Sequence, residues 1–250
     1  MMMQIDLNCD MGESFGAYRL GDDAALMPLI TSANIACGFH AGDPLVMDQT
    51  VRLAARHGVA VGAHPGYPDL QGFGRRSMDL APEEVEAITL YQVAALAGFA
   101  HAAGVELVHV KAHGALYNQA AADRRLADAV ARAVRRFSPS LILVGLAGSK
   151  LIAAAEEAGL RAASEAFPDR AYQPDGSLMP RRLPGAVLED VEQVAAHAVE
   201  LAREGICVGE TRIAVDTLCL HGDHPHAAQN ARALREALAA AGVEVRGLAG

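Results

Sequence analysis

The sequence predicts an α/β fold, a parallel sheet closed into a barrel with helices around it. Three observations predict it. Short apolar or alternating runs recur along the 250 residues. Each is followed by a loop and then by apolar residues at helical spacing. Seven or eight such units occupy a length that one α/β barrel commonly fills. Residues 1–250 are therefore expected to form one domain.

The elements follow in order. Gln4–Asn8 alternates apolar and polar residues, as a half-buried strand does. Ser32–Cys37 is the second strand. Asp43-Pro44 opens the first helix, Asp43–His57, because Asp caps and Pro suits the first turn. Its apolar residues Val46, Met47, Val51, Leu53 and Ala54 share one side, and Gly58 stops it. Ala60–Ala63 is the third strand. Ala81-Pro82-Glu83-Glu84 opens a long helix that Gly104 closes. Leu107–Lys111 is the fourth strand and Asp123–Phe137 the helix after it. Leu141–Gly145, helix Ser149–Ala158 and strand Arg161–Ser164 repeat the form. Helix Glu189–Glu204, strand Asp216–Leu220 and helix His226–Ala241 complete it, with Val243–Val245 a candidate eighth strand. Pro65–Arg76 and Phe167–Pro184 are rich in Gly and Pro. They carry aromatics, Arg and Asp rather than Ser/Gly repeats, so neither reads as a linker.

Composition narrows the function. Hydrophobic residues are 52% and charged residues 20%, which excludes a disordered chain. The net charge of −9 argues against nucleic acid, whose phosphates need a basic face. No apolar run is long enough to span a membrane. Cys9, Cys37, Cys207 and Cys219 form no CxxC pair. The first ten residues lack a basic region followed by an apolar run, so a cytoplasmic location is expected.

Polar residues gather where strands end. They are Asn8, Asp10 and Glu13, then Asn34 and His40, then His64, then Lys111 and His113, then Glu165, Asp169 and Arg170, and finally His221. In an α/β barrel these ends meet at one rim, where active sites are built. Each residue has a plainer reading: Asp10 as a cap, Asn34 as a partner for backbone groups, a lone His as a loop hydrogen-bonder. Four histidines each following a strand (His40, His64, His113, His221) weigh against chance. His57, His101 and His197 read as ordinary surface residues on helices.

Lys111 is the sharpest signal. Only two of the 21 basic residues are lysines, Lys111 and Lys150. Lys111 ends an apolar strand, so it faces the barrel mouth or is buried with a partner such as Asp10 or Glu165. There it would hold a carboxylate or phosphate, or stabilise charge developing in a transition state. Arg75 and Arg181 in the long loops would draw in an anionic substrate, with Arg76 and Arg182 merely solvated. Asp10, His40, His64, His113 and His221 are suitable ligand types for a divalent metal, with Asp10, His40 and His64 the leading candidates. No P-loop, GxGxxG or GxSxG motif is present. Gly145–Lys150 would cradle an anion at a helix start, without P-loop spacing.

Five blocks carry a resemblance: Asp6–Glu13, Ser32–Asp43, His64–Asp69 with Gly72–Arg75, Lys111–Asn118, and Glu165–Arg170. They resemble the LamB/YcsF family from the first strand to His221-Gly222-Asp223, with no departure at the motif residues. The resemblance implies an irregular seven-stranded parallel β/α barrel, TIM-like and of the glycoside hydrolase/deacetylase type. It implies cleavage of 5-oxo-L-proline to L-glutamate coupled to hydrolysis of ATP to ADP and phosphate, and a need for two partner subunits, B and C. On that reading Asp10 and His64 activate water, directly or through a divalent metal such as Mg, and His113 protonates the leaving nitrogen. Lys111 and Arg75 hold anionic groups. Asn8, Asn34, His40, Glu165 and Asp169 orient these or the substrate, with Tyr117, Arg170 and His221 as further substrate contacts. Two other readings stand beside it: a metal-dependent deacetylase or amidohydrolase acting alone, and a non-catalytic subunit that binds a ligand for its partners.

Overall fold

A computed structural model describes residues 3–180, 182–220 and 227–248. Its first strand, β1 (Met3–Met11), runs longer than the alternation suggests and is the hub of the sheet. From it, β2 (Ser32–Ala36), β3 (Ala60–His64), β4 (Leu107–Lys111), β5 (Ile142–Leu146) and β6 (Arg161–Ala166) pair in sequence, all parallel. An antiparallel hairpin of β7 (Ile206–Val208) and β8 (Thr211–Ile213) follows. Then β9 (Thr217–Leu220) pairs with β6 on one side and β1 on the other. Those two pairings close a seven-stranded parallel barrel.

The last strand, β10 (Val243–Val245), is not an eighth stave. It pairs with Met3, Gln4 and Ile5, below the point where the ring neighbours of β1 take over. Two elements have no clear pattern in the sequence: the β7–β8 hairpin, and a helix directly behind the fourth strand that starts with Gly.

The helices sit outside the ring. The first, α1 (Asp23–Leu26), is a single turn. Next, α2 (Pro44–His57) starts where Asp43 accepts from the Leu45 and Val46 amides and ends on Gly58 in the left-handed region. At the start of α3 (Pro82–Ala102), Glu84 reaches back to the Ala81 amide. After α4 (Gly114–Ala122), Asp123 caps α5 (Arg124–Phe137) and Ser149 caps α6 (Lys150–Glu157). Asp190 caps α7 (Val191–Glu204), and α8 (Ala227–Ala240) precedes β10. None of these helices is long and apolar enough to cross a membrane.

The two faces of the ring differ in chemistry. On β1, Ile5, Leu7, Cys9 and Met11 join the apolar core shared with the helices. The alternate residues Asp6, Asn8 and Asp10 point the other way. Asn8 contacts Glu165 of β6 and Lys111 of β4, neither of which is adjacent to β1, so these contacts cross the ring's interior. The interior therefore holds a polar network, beside a small separate apolar cluster of Ile142, Val144 and Ala163 on the β5–β6 side. The outer layer, rich in Ala, Val and Leu, supplies the apolar burial.

Candidate active site

The site is built from the floor up. Asp6 is buried, its carboxylate accepting from Thr31, Ser32 and Thr217. Burial pushes its pKa up despite those bonds. One layer higher, Asn8 Nδ2 donates to Thr217 Oγ1 (2.7 Å) and Glu165 Oε1 (2.9 Å). Asn34 Nδ2 donates to Asn8 Oδ1 (2.7 Å) and Asp10 Oδ1 (2.9 Å). His109 Nε2 donates to Asn34 Oδ1 (2.8 Å), which fixes which way that amide points. This reach is possible because Gly62 lies between Asn34 and His109 in the sheet register. A Cβ at Gly62 would meet His109 Nε2 at 2.0 Å.

Lys111 is 3% exposed, and its Nζ is ringed by Glu165 Oε1 (2.8 Å), Cys219 Sγ (3.0 Å), Asp10 Oδ1 (3.1 Å) and Asn8 Oδ1 (3.1 Å). Burial alone would favour the neutral amine. Asp10, Cys219 and Glu165 outweigh it and hold the pKa well above the usual lysine value. Asp10 shows the converse. Burial would raise its carboxyl, but His64 and Lys111 bring it well below the usual range.

His64 and His113 face each other above Asp10. His64 Nδ1 is 2.7 Å from the Lys111 carbonyl, and His113 Nε2 is 2.8 Å from the Phe73 carbonyl. A carbonyl can only accept, so both of these nitrogens carry hydrogen. His64 Nε2 and His113 Nδ1 are left 3.0 Å apart. His64 Nε2 also lies 3.2 Å from Asp10 Oδ2. Burial lowers the His113 pKa to about 3. Phe73 is held at φ 54°, and it is the only residue other than glycine with positive φ among the described residues. That strained turn aims its carbonyl at His113.

A cavity of about 720 Å³ opens over this floor. Asp10, His64, Lys111, His113, Arg75, Tyr117 and Arg170 line it. Asn8, Asn34 and Glu165 lie beneath, holding the wall residues. Tyr117 is buried; burial first, and the nearby Glu165 carboxylate second, hold its phenol well above the ordinary tyrosine pKa. Arg75 is exposed, its guanidinium 5.0 Å from the centre of the Phe73 ring. Arg170 reaches the wall, but its guanidinium donates to the Ala186 and Met179 carbonyls, so it also braces the long loop after β6. Asp169 is not on the cavity wall. His221 and Arg181 lie outside the described residues. Arg76 is not merely solvated: it pairs with Asp69 and ties its own loop.

Two further points depart from expectation. His197 is no ordinary surface residue: its Nδ1 donates to the Pro168 carbonyl, fastening the β6 loop to α7. The candidate metal ligands also regroup. His40, His64 and His113 come together and Glu13 joins them, with donor atoms all within 4.8 Å of one another. Asp10 is outside that group, its Oδ1 committed to Lys111 and Asn34. Sequence reasoning places Glu13 at the rim without assigning it a task, and gives His109 no place in the site. His109 is readable in principle, since it lies two residues before Lys111 and so on the same strand face.

Residues 5–250 match the LamB/YcsF family. The chain belongs to that family. Among its relatives, the A subunit of the 5-oxoprolinase of Syntrophobacter fumaroxidans is 57% identical, covering 97% of this chain and 98% of the relative. The corresponding 5-oxoprolinase A chain of Bacillus subtilis is 52% identical over 98% of this chain and 96% of its own. The crystal structure of a lactam utilization protein from Thermus thermophilus superposes with a TM-score of 0.91 at 52% identity, covering 98% and 100% of the two chains. The LamB/YcsF blocks quoted from the sequence coincide with the rim: Asp10, His64, Lys111 and His113 each lie in one of them.

Proposed function

We propose that this chain is the A subunit of an ATP-dependent 5-oxoprolinase, working in the cytoplasm with partner subunits B and C. The reaction opens 5-oxo-L-proline to L-glutamate as ATP becomes ADP and phosphate. The observation that carries the reading is the chain Lys111–Asp10–His64–His113 at the floor of a cavity, in a protein whose relatives are named for this lactam's hydrolysis.

A lactam is a poor electrophile. Phosphoryl transfer from ATP to its carbonyl oxygen makes the ring carbon reactive. Water adds to that carbon, and the C–N bond then breaks, leaving an amine that takes up a proton and a γ-glutamyl phosphate. A second water releases phosphate. Asp10, an anion, and His64, 3.2 Å from it, take the proton of the attacking water. His113, whose Nδ1 lies 3.0 Å from His64 Nε2, relays a proton to the nitrogen. The cations are Lys111 under the floor and Arg75 at the rim. Lys111 keeps Asp10 ionised, and Arg75, exposed beside the cavity mouth, meets a carboxylate or phosphate. Asn8, Asn34 and Glu165 hold these groups in place. The cavity exceeds what one small lactam acid needs, leaving room for the phosphoryl donor's reactive end.

Reconstitution with subunits B and C tests this. 5-Oxoproline-dependent ATP hydrolysis is expected only with all three, and His64→Ala or Lys111→Ala should lower it by about 100-fold or more. Near-normal rates for both variants would refute the site. Lactam opening by the isolated chain without ATP would replace the reading with a self-sufficient amidohydrolase.

A further inference from the structure

We infer that Glu13, His64 and His113 form a binding site for a zinc-class transition-metal ion. The inference concerns the same cavity but does not depend on the reaction proposed above.

The first argument is the tautomers. His64 and His113 each have one nitrogen fixed as a donor by a backbone carbonyl, that of Lys111 and that of Phe73. Their remaining nitrogens face each other at 3.0 Å, and His64 Nε2 also lies 3.2 Å from Asp10 Oδ2. A proton on His64 Nε2 satisfies both neighbours, and a metal ion that displaces that proton is held by both rings. Metal-bound histidines almost always donate their other N–H to a carbonyl or carboxylate, which sets ring orientation and tautomer. Both rings already have that anchor. The Phe73 anchor is itself built at the cost of a left-handed backbone.

The second argument is the third donor. Glu13 Oε1 lies 3.9 Å from His113 Nδ1, and the donors of Glu13, His40, His64 and His113 fall within 4.8 Å of one another. A tetrahedral ion with bonds of about 2.0–2.2 Å spaces its ligand atoms by roughly 3.3–3.6 Å. The observed 3.0 and 3.9 Å bracket that range. Small side-chain shifts complete it.

His40 supplies an independent pointer. It is 1% exposed, yet neither ring nitrogen has a hydrogen-bond partner. Its Nε2 lies 3.9 Å from Glu13 Oε1. The ring stacks flat on His113, with centroids 3.8 Å apart and 4° between planes. In that rotamer its lone pairs lie in a plane parallel to that of His113, so the two rings do not share an ion. The primary set is therefore two imidazoles and one carboxylate, with an open position on the cavity side and His40 in reserve.

The donor set selects the ion. Imidazole nitrogens suit zinc, cobalt, nickel and iron. Magnesium and calcium prefer all-oxygen shells, so two or three histidines disfavour them. This narrows the divalent metal, such as Mg, that the sequence leaves open.

The test uses the full chain, stripped with chelator and titrated with Zn²⁺ and with Co²⁺. Elemental analysis is expected to find one ion per chain. The cobalt form should show visible absorption bands of a low-coordinate site, and millimolar Mg²⁺ should not displace them. Glu13→Gln preserves side-chain shape and should weaken Co²⁺ binding by about 10-fold or more. His64→Gln should abolish the bands. Circular dichroism confirms that each variant is folded, and Glu13→Gln remains decisive if His64→Gln is not. Absence of stoichiometric Zn²⁺ or Co²⁺, ready displacement by Mg²⁺, or unaltered binding by Glu13→Gln would overturn the inference. A stripped chain that takes up neither Zn²⁺ nor Co²⁺, in a reconstituted complex that turns over 5-oxoproline, would sink this site and leave the proposed function standing. A chain that binds the ion in a complex inert toward 5-oxoproline would do the reverse.

Discussion

Lys111 shows how much one residue's rarity and position disclose, and what escapes them. Two lysines in the whole chain, one of them at a strand end, are enough to mark it and to name Asp10 and Glu165 as partners. The folded chain adds Cys219 and Asn8 to its shell. Removing one member of such a buried ion network leaves the rest uncompensated. Lys111→Met should therefore cost about 3–5 kcal/mol in urea unfolding. Pairing it with Glu165→Gln should recover part of that loss while leaving 5-oxoproline-dependent turnover absent. Full recovery of turnover would remove Lys111 from the chemistry. His109 is illegible for the opposite reason. Flanked by Val108 and Val110, it reads as one polar residue in an apolar strand, and its role depends on Gly62 of the neighbouring strand. Gly62→Ala is expected to push the His109 ring off Asn34, destabilising the fold by about 1–3 kcal/mol. Turnover should fall more than stability explains, because Asn34 then loses the bond that orients it toward Asp10. Unchanged unfolding and kinetics would show that the crowding is absorbed elsewhere.

Elements are legible where local chemistry marks their ends. Asp43, Asp123, Ser149 and Asp190 each stand at or beside a helix start that the sequence predicts, and each accepts a first-turn amide. Asp43 does more than cap: its second oxygen accepts from the Gly16 amide in the loop after β1, just beyond Glu13. Asp43→Ala should lower stability by about 1–2 kcal/mol, and Asp43→Asn should restore most of it, as urea midpoints will show. Equal midpoints for wild type and Asp43→Ala would mean that solvent replaces the cap without loss. What local chemistry does not mark is α4. It has a glycine at its first position and no capping side chain, and its start is set by tertiary bonds instead: the Ala115 amide to the Gly74 carbonyl and the His113 amide to the Pro65 carbonyl. The β7–β8 hairpin is equally hidden, since its six paired residues are too few to set up an alternation.

At the scale of the molecule, counting strand–helix units reaches the barrel but not its closure. The closing pair joins β9 to β1, from opposite ends of the chain, and no local pattern encodes it. The count also admits β10, whose short apolar run is indistinguishable from a stave. Nor does the sequence reveal that the ring's interior holds a buried polar network, and this has a consequence for the whole fold. His109 and His113 are buried with pKa values near 3, burial being the main cause in each, and His40 is driven well below its usual 6.5 for the same reason. In the unfolded chain all three titrate near 6.5. Between about pH 6.5 and 3 the unfolded state therefore binds more protons than the native state, so stability must rise with pH across that window and fall as the solution is acidified. Each histidine adds about 1.4 kcal/mol per pH unit to the slope well inside the window. Asp10, whose folded pKa is depressed, adds its own loss only below about pH 4, where the unfolded carboxylate begins to protonate. Lys111, raised in the fold, keeps its contribution until the solution passes the ordinary lysine value near 10.5. Buried Asp6 and half-buried Asp23, both raised in the fold, offset part of the histidine slope above about pH 4, and buried Cys9, Cys37 and Cys219, raised likewise, make stability fall once unfolded thiols ionise above about pH 8. Urea midpoints measured on the metal-free chain should thus be highest near about pH 7 to 8 and drop from about pH 6 to 4.5. His109→Gln keeps a hydrogen-bonding group and removes one titrating site, so its slope should be shallower by about one histidine's share. A wild-type midpoint that stays flat down to about pH 5 would mean that the histidines accept protons within the fold, and the neutral, lone-pair geometry assigned to His113 would fall with it.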